Sequence, residues 1–479
     1  MPLLRAVPVP SRPVVALEPI IGPERYTRLL AAADRFRALM AGRTIWNINS
    51  TAVGGGVAEL LQALVGYATD LDVPIRWTVI GGDHDFFTIT KRLHNQLHGL
   101  GGHEPLSAGE AAHYQSVLAE NAEELLGQIR PRDVVLLHDP QTAGLTGPLA
   151  RAGIPVVWRC HVGADQASDA TQAAWDFLRR FLGDARGYVF SRAQYVPPWV
   201  PHQLRWIIPP SIDPFSAKNQ PLGPETVQAI LATLGVLDSR PPASPAGFVR
   251  RDGTAGEVIR SAAVVCDALP TPGDPVVLQV SRWDRLKDMN GVMSGFTRHA
   301  ALADGGYLIL AGPAVTGVAD DPEGALVYAE CLAQWRALPP AARSRVMLVS
   351  LPLDDVDENA VMVNALQRHA TVITQKSIAE GFGLTVAEAM WKARPVVGSA
   401  VGGIQDQLAE GTGILLPDPR DLEEFGRAVR TLLNDPALAG RMGWAAQAYI
   451  REHYLGDVHL LRYARLFGTL ISSGPAWPR

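Results

Sequence analysis

Glu380-Gly381-Phe382-Gly383-Leu384-Thr385-Val386-Ala387-Glu388 follows the short apolar run Thr371 to Thr374 and leads directly into a helical pattern. Strand, glycine loop and helix start, in that order, form the repeating unit of a parallel α/β sheet. Gly381 and Gly383 let the backbone approach a phosphate closely, and the N–H groups at a helix beginning near Leu384 attract its charge. Glu388 then sits about one turn inside that helix, where its carboxylate can accept ligand hydroxyls. An ordinary acidic pair at a helix start would explain the sign of these charges but not their arrangement around two glycines.

The same rhythm extends in both directions from this stretch. Downstream lie the apolar run Pro395 to Gly398 and a second glycine turn, Gly402-Gly403; upstream lie strand candidates Val276 to Val280, Tyr307 to Leu310 and Val346 to Ser350. A separate series occupies the first half: Thr44 to Ile48, Ile75 to Ile80, Val134 to Leu137, Pro155 to Trp158, Tyr188 to Ser191 and Trp206 to Ile208. Helical patterns intervene, among them Glu24 to Met40, Val57 to Thr69, Ala112 to Ile129 and Thr171 to Leu182. Between Leu237 and Gly256 the composition shifts to Pro, Ser, Arg and Gly, the mark of a surface excursion beside a domain boundary. The expected organisation is an extension over 1–42, a first Rossmann-like domain over 43–262, a second over 263–455, and a C-terminal helix, 456–479, returning to the first domain. Ligands on such sheets bind beyond the carboxyl ends of the strands, so two of them predict a site in post-strand loops facing an interdomain cleft.

Bulk composition narrows the function classes. A chain of 479 residues exceeds one ordinary core, and 47% hydrophobic with 19% charged residues describes a globular protein. A net charge of -5 argues against general nucleic-acid binding. Cys160, Cys266 and Cys331 fit neither a disulfide framework nor a metal-ligand spacing, so no metal is expected and a reducing cytoplasm is the natural location. Prolines from Pro2 to Pro19 interrupt any secretory h-region, and no apolar stretch is long enough to make the protein integral to a membrane.

Two further loops carry candidate chemistry. Asn49-Ser50-Thr51-Ala52-Val53-Gly54-Gly55-Gly56 links a strand to a helix, and Gly54, Gly55 and Gly56 permit close approach of an anion such as a diphosphate. The same glycines also suit a plain tight turn. Ser281-Arg282-Trp283-Asp284-Arg285-Leu286-Lys287-Asp288 supplies a planar guanidinium and a compact ammonium, which together can neutralise a departing diphosphate. Lys376 adds a neighbouring cation. At strand ends of the first domain, His138-Asp139-Pro140-Gln141 and Arg159-Cys160-His161 could line a sugar pocket, although a lone histidine is as often structural. Asp83-His84-Asp85 reads as a surface loop after Gly81-Gly82, not as a metal-holding pair.

With Arg282-x4-Lys287 and Glu380-x7-Glu388 in place, the chain resembles retaining glycosyltransferases of the GT-B fold. Within them it looks most like the trehalose glycosyltransferring synthases, through Asn49 to Glu59, His138-Asp139-Pro140-Gln141, Pro210-Ser211-Ile212-Asp213-Pro214, Phe86-Phe87, Thr90 to Asn95 and Ala389-Met390-Trp391-Lys392. The resemblance covers roughly Arg43 to Phe467 and departs in the extension and in 237–256. It implies that Arg282 and Lys287 hold the donor diphosphate, together with Gly381, Phe382, Gly383 and Leu384. It further implies that Glu388 meets the ribose, Glu380 the hydroxyls of the transferred sugar, and His161 the region of its 6-hydroxyl, with His138, Asp139 and Gln141 on the acceptor side. The implied reaction moves glucose from UDP- or ADP-glucose to glucose, giving trehalose with retention and no required cofactor, in a homodimer. Trehalose phosphorolysis, another sugar or cyclitol acceptor, and a non-catalytic sugar-nucleotide sensor remain open alternatives.

Overall fold

The structure is a computed structural model that describes residues 3–53, 55–239, 245–300, 306–315 and 322–472. Gly54, one of the expected phosphate-loop glycines, and the prolines at 241 and 242 lie outside the described residues. The chain divides into two compact units, one formed by residues up to Ile212 together with those from Tyr454, the other by Asp213–His453.

The first unit is built on a seven-stranded sheet of order β1-β3-β2-β4-β5-β6-β7. Its strands are β1 (Arg5–Ala6), β2 (Ile45–Asn49), β3 (Ile75–Val79), β4 (Val134–His138), β5 (Val156–Cys160), β6 (Gly187–Phe190) and β7 (Arg205–Ile207). All pairs are parallel except β1 on β3. Helices on both faces bury β4 and β5 throughout, which is why these strands read as unbroken apolar runs. The prolines of the extension do not leave it as a loose tail. Arg5–Ala6 adds the edge strand, the Arg12 amide donates to the Gly66 carbonyl, and the Val14 amide donates to Asp70.

The second unit repeats the plan with the order β10-β13-β12-β11-β14-β15-β16. A two-stranded hairpin, β8 (Gly247–Val249) with β9 (Ala255–Glu257), precedes it. The sheet itself comprises β10 (Ala263–Val265), β11 (Val276–Val280), β12 (Tyr307–Pro313), β13 (Val346–Leu351), β14 (Val372–Gln375), β15 (Val396–Ser399) and β16 (Gly413–Leu416). Only β10 runs antiparallel. In each sheet the strand order reverses about one central strand, β2 in the first and β11 in the second, so the loops after β2 and β4, and after β11 and β14, flank a topological switch point.

Two expectations change. Residues 213–262 group with the second unit and not the first, because Asn364 and Arg368 donate to the backbone carbonyls of Ala217, Asn219 and Gln220. Part of the Pro/Arg-rich excursion is the β8–β9 hairpin, secured by Arg250 to Asp355 and Arg251 to Asp357. His84 and Asp85 are not loop residues: Asp83 caps the helix His84–Leu97, accepting the Phe86 amide at 2.8 Å, and His113 approaches the same carboxylate at 2.9 Å.

The last helix, Gly456–Ser472, packs on helices Pro23–Leu39 and Gly55–Asp70 in the first unit. Arg25 of the extension grips Asp457 with two nitrogens, and the Asp457 carboxylate is fully buried. Removing one partner of such a pair strands a buried charge. We therefore expect Arg25→Met to destabilise the protein by about 3 kcal/mol, read as a lower midpoint of urea unfolding; an unchanged midpoint would show that the pair does not secure the two termini.

Candidate functional site

In the second unit, the loop after β11 turns through Ser281 to Asp288 before the helix Met289–Gly295. Trp283 anchors it: its indole is buried and donates to the Pro313 carbonyl at 2.8 Å. Asp284 accepts the Leu286 amide at 2.8 Å and stands 3.4 Å from the exposed Arg282 guanidinium. Gln279 inside β11 ties this loop to the one after β14, donating to the Lys287 carbonyl at 2.6 Å and accepting the Lys376 amide at 3.1 Å. The Ile378 amide donates to the Leu286 carbonyl at 2.7 Å, closing the joint.

That joint brings Lys287 and Glu380 into direct contact, ammonium to carboxylate at 2.6 Å, with Ser377 3.4 Å from the same oxygen. Both side chains are mostly buried, which strengthens the pair relative to an exposed one. A parallel pair lies beside it, the fully buried Lys376 on Asp288. The two loops thus bring four ionisable groups close together at the carboxyl ends of β11 and β14.

Gly383 starts the helix Leu384–Trp391 at φ +83, a left-handed value that a side chain would disfavour. The second glycine turn is packed against it: the Gly403 amide donates to the Gly381 carbonyl at 3.0 Å, and a Cβ on Gly403 would lie 2.6 Å from the Phe382 carbonyl oxygen. Gly381, Phe382, Gly383 and Leu384 therefore form one fixed helix entrance, whose first amides have no intrahelical acceptor. Glu388 is 2% exposed and lies 3.5 Å from Lys218, a cation the sequence reading missed because it lies far away in the chain. Lys392 reaches back to the Glu388 carbonyl and to Asn219, both at 3.0 Å.

The first unit gathers the other candidates. The loop after β2 reaches the helix Gly55–Asp70, and Gly55 takes φ +77 with open space where a Cβ would stand; Gly56 continues the first turn. After β4 and β5, the His138 and His161 rings stack at 5.3 Å, with Nδ1 of His138 3.0 Å from Nε2 of His161. Asp139 accepts the His161 amide at 2.7 Å from a backbone held at φ 64, ψ 177, a conformation costing about 1–3 kcal/mol in a residue with a side chain. Gln141 lies in the following turn, Pro140–Leu145. The structure thus joins His138, Asp139 and His161 in one unit, and Lys287, Glu380 and the glycine entrance in the other, with Arg282 on the same loop as Lys287.

Burial, followed by the nearby Arg159 charge, pushes His138 and His161 well below the usual histidine value. Burial lifts the Asp139 carboxyl from 3.8 to about 7, against the opposing pull of the His161 amide and Arg159. The unfolded chain loses the Asp139 proton near pH 3.8, whereas the folded chain keeps it to about 7, so this carboxyl costs stability progressively as pH rises across that window. The histidines act in the opposite sense, lowering stability as pH falls below 6.5, where the unfolded imidazoles take up protons. Asp139→Asn should therefore gain thermal stability relative to the parent as pH rises from 4 to 7. A difference between the two melting curves that stays flat over that range would contradict the raised carboxyl.

Comparison with known proteins adds independent findings. Residues 47–197 match the family described as trehalose synthase, N-terminal domain, and residues 358–449 match glycosyl transferases group 1. A trehalose synthase from Pyrococcus horikoshii is 34% identical over 454 residues, covering 94% of this chain and 95% of the relative. A trehalose phosphorylase from Pleurotus pulmonarius is 25% identical over 460 residues, 90% of this chain but 57% of that longer protein. Among solved structures, Anabaena HepE in complex with UDP-glucose superposes with a TM-score of 0.59 at 16% identity, covering 90% of this chain and 99% of that one.

Proposed function

From the premise that the chain belongs to the trehalose synthase family of GT-B glycosyltransferases, we propose that it transfers glucose from a nucleoside diphosphate glucose to free glucose, forming trehalose with retention at the transferred carbon. The observation that carries this reading is the 2.6 Å contact between Lys287 and Glu380 at the switch point of the second sheet. A cation suited to a leaving phosphate and a carboxylate suited to sugar hydroxyls are there a single unit, beside a helix entrance built to receive an anion.

In the proposed complex, the Arg282 fork and Lys287 neutralise the diphosphate as its bond to glucose breaks. The amides following Gly381 and Gly383 add fixed dipoles to the same oxygens. Glu388, steadied by Lys218, accepts the ribose hydroxyls, and Glu380 orients the sugar. His161 meets the sugar near its 6-hydroxyl, with His138, Asp139 and Gln141 on the acceptor side. The leaving phosphate takes the acceptor proton on the face from which it departs, so the anomeric configuration is kept. The HepE complex with UDP-glucose supports a sugar nucleotide as the donor class. The three cysteines are free, which suits a reaction in a reducing cytoplasm.

The direct test incubates the protein with UDP- or ADP-glucose plus glucose and measures trehalose. Trehalose formed only from glucose 1-phosphate would instead place the chain with the phosphorylase relatives. Glu380→Gln keeps the shape and removes the charge, so turnover should fall on the order of 100-fold while nucleotide affinity, read by calorimetry, is kept or increased through the less neutralised Lys287. Wild-type turnover in that variant would reject the role given to Glu380.

A further inference from the structure

Arg159 lies in β5 and is fully buried. Its Nε donates to Nδ1 of His161 at 3.3 Å, one terminal nitrogen donates to the Ile208 carbonyl at 3.1 Å, and the other donates to the Tyr463 hydroxyl on the C-terminal helix. A guanidinium is always protonated and only donates, so Nδ1 of His161 must accept. The single proton of a neutral His161 is then on Nε2, directed at Nδ1 of His138 at 3.0 Å. His138 must in turn carry its proton on Nε2, which faces the Asn47 side-chain oxygen at 3.3 Å. Asn47 completes the sequence, its amide group donating to the Arg76 carbonyl at 3.4 Å.

We propose that Arg159 is a positioning residue that fixes His161, and through it His138, each in one neutral tautomer, with Tyr463 of the C-terminal helix holding Arg159 in register. A second proton on His161 would set Nδ1–H against the guanidinium N–H. A second proton on His138 would set Nδ1–H against Nε2–H of His161, which cannot shift its proton to the side occupied by Arg159. The directionality follows from donor and acceptor chemistry alone. Other groups facing the pair do not reverse it. From the turn after β4 comes Asp139, which holds the His161 amide, and from β5 comes Cys160, whose thiol donates to the Val162 carbonyl at 3.2 Å. From the C-terminal helix come Tyr463 and His459, the latter donating from Nδ1 to the Pro209 carbonyl at 3.0 Å, with Arg462 near it.

Resting on the reading of His161 as a sugar-contacting residue, this assignment deepens it: both ring nitrogens are committed inside the protein, so His161 takes no part in proton transfer and serves as a rigid wall of the site. The helix Gly456–Ser472 then contributes to the site without reaching it, through Tyr463 and Arg159.

The test uses the full chain labelled with 15N-histidine, whose twelve histidines give few enough signals to assign by single substitution. Long-range 15N–1H spectra from pH 5.5 to 8 should show His138 and His161 protonated on Nε2 alone throughout. Detection of Nδ1 protonation, or titration of either ring within that range, overturns the proposal, and because this readout needs no turnover it is independent of the transferase assignment. Tyr463→Phe should retain the fold and lower kcat several-fold with little change in the donor KM. Arg159→Met should leave Nδ1 of His161 without its fixed donor, so that Nδ1 protonation of His161 appears in the same spectra and the pH profile of kcat changes from that of the parent; a variant that folds and still shows both rings protonated on Nε2 alone would equally overturn it.

Discussion

Parallel pairing constrains everything else in this protein. A parallel strand can return to its neighbour only through a crossover helix over one face, so every carboxyl end opens on the same edge of the sheet. Where successive crossovers change face, at β2 in the first unit and β11 in the second, two loops separate and leave room between them. Asn49 to Val53 and His138 to Gln141 occupy that position in one sheet, and Ser281 to Asp288 with Lys376 to Gly383 occupy it in the other. The charges fall there because the topology offers no comparable gap elsewhere along that edge.

Much of this plan was legible in the sequence, because a strand buried on both faces has a local signature. Val276–Val280 has the bounds that its apolar run predicts, and Gly383 announces the helix entrance by the absence of a side chain. The Lys287 and Glu380 loops could be named, since each follows such a strand. Their bond could not, because it depends on Gln279 and Ile378 stitching together segments far apart in the chain. The same limit explains 213–262: Asn364 and Arg368 bind its backbone carbonyls, and a carbonyl has no sequence identity. Lys218 beside Glu388 went unseen for the same reason.

The His84-Asp85 misreading has a different origin. Gly81-Gly82 is strong loop punctuation, and Asp83 after it is equally consistent with a turn or a helix cap. The choice rests on Phe86, Ile89, Leu93 and Leu97, whose helical spacing buries them against the sheet. In the first unit, Arg159 was visible only as a neighbour of His161. Its importance lies in three acceptors on three separate segments, which no local pattern encodes.

The discontinuity of the first unit bears on how the chain is made. Synthesis proceeds from the N-terminus, yet the helix that covers Tyr67 and clamps Arg25 and Arg159 follows residue 453. The second unit is contiguous and has all of its residues by then. On the ribosome the later-encoded unit can therefore complete its fold first, while the earlier one waits with an uncovered apolar face for the final segment to emerge.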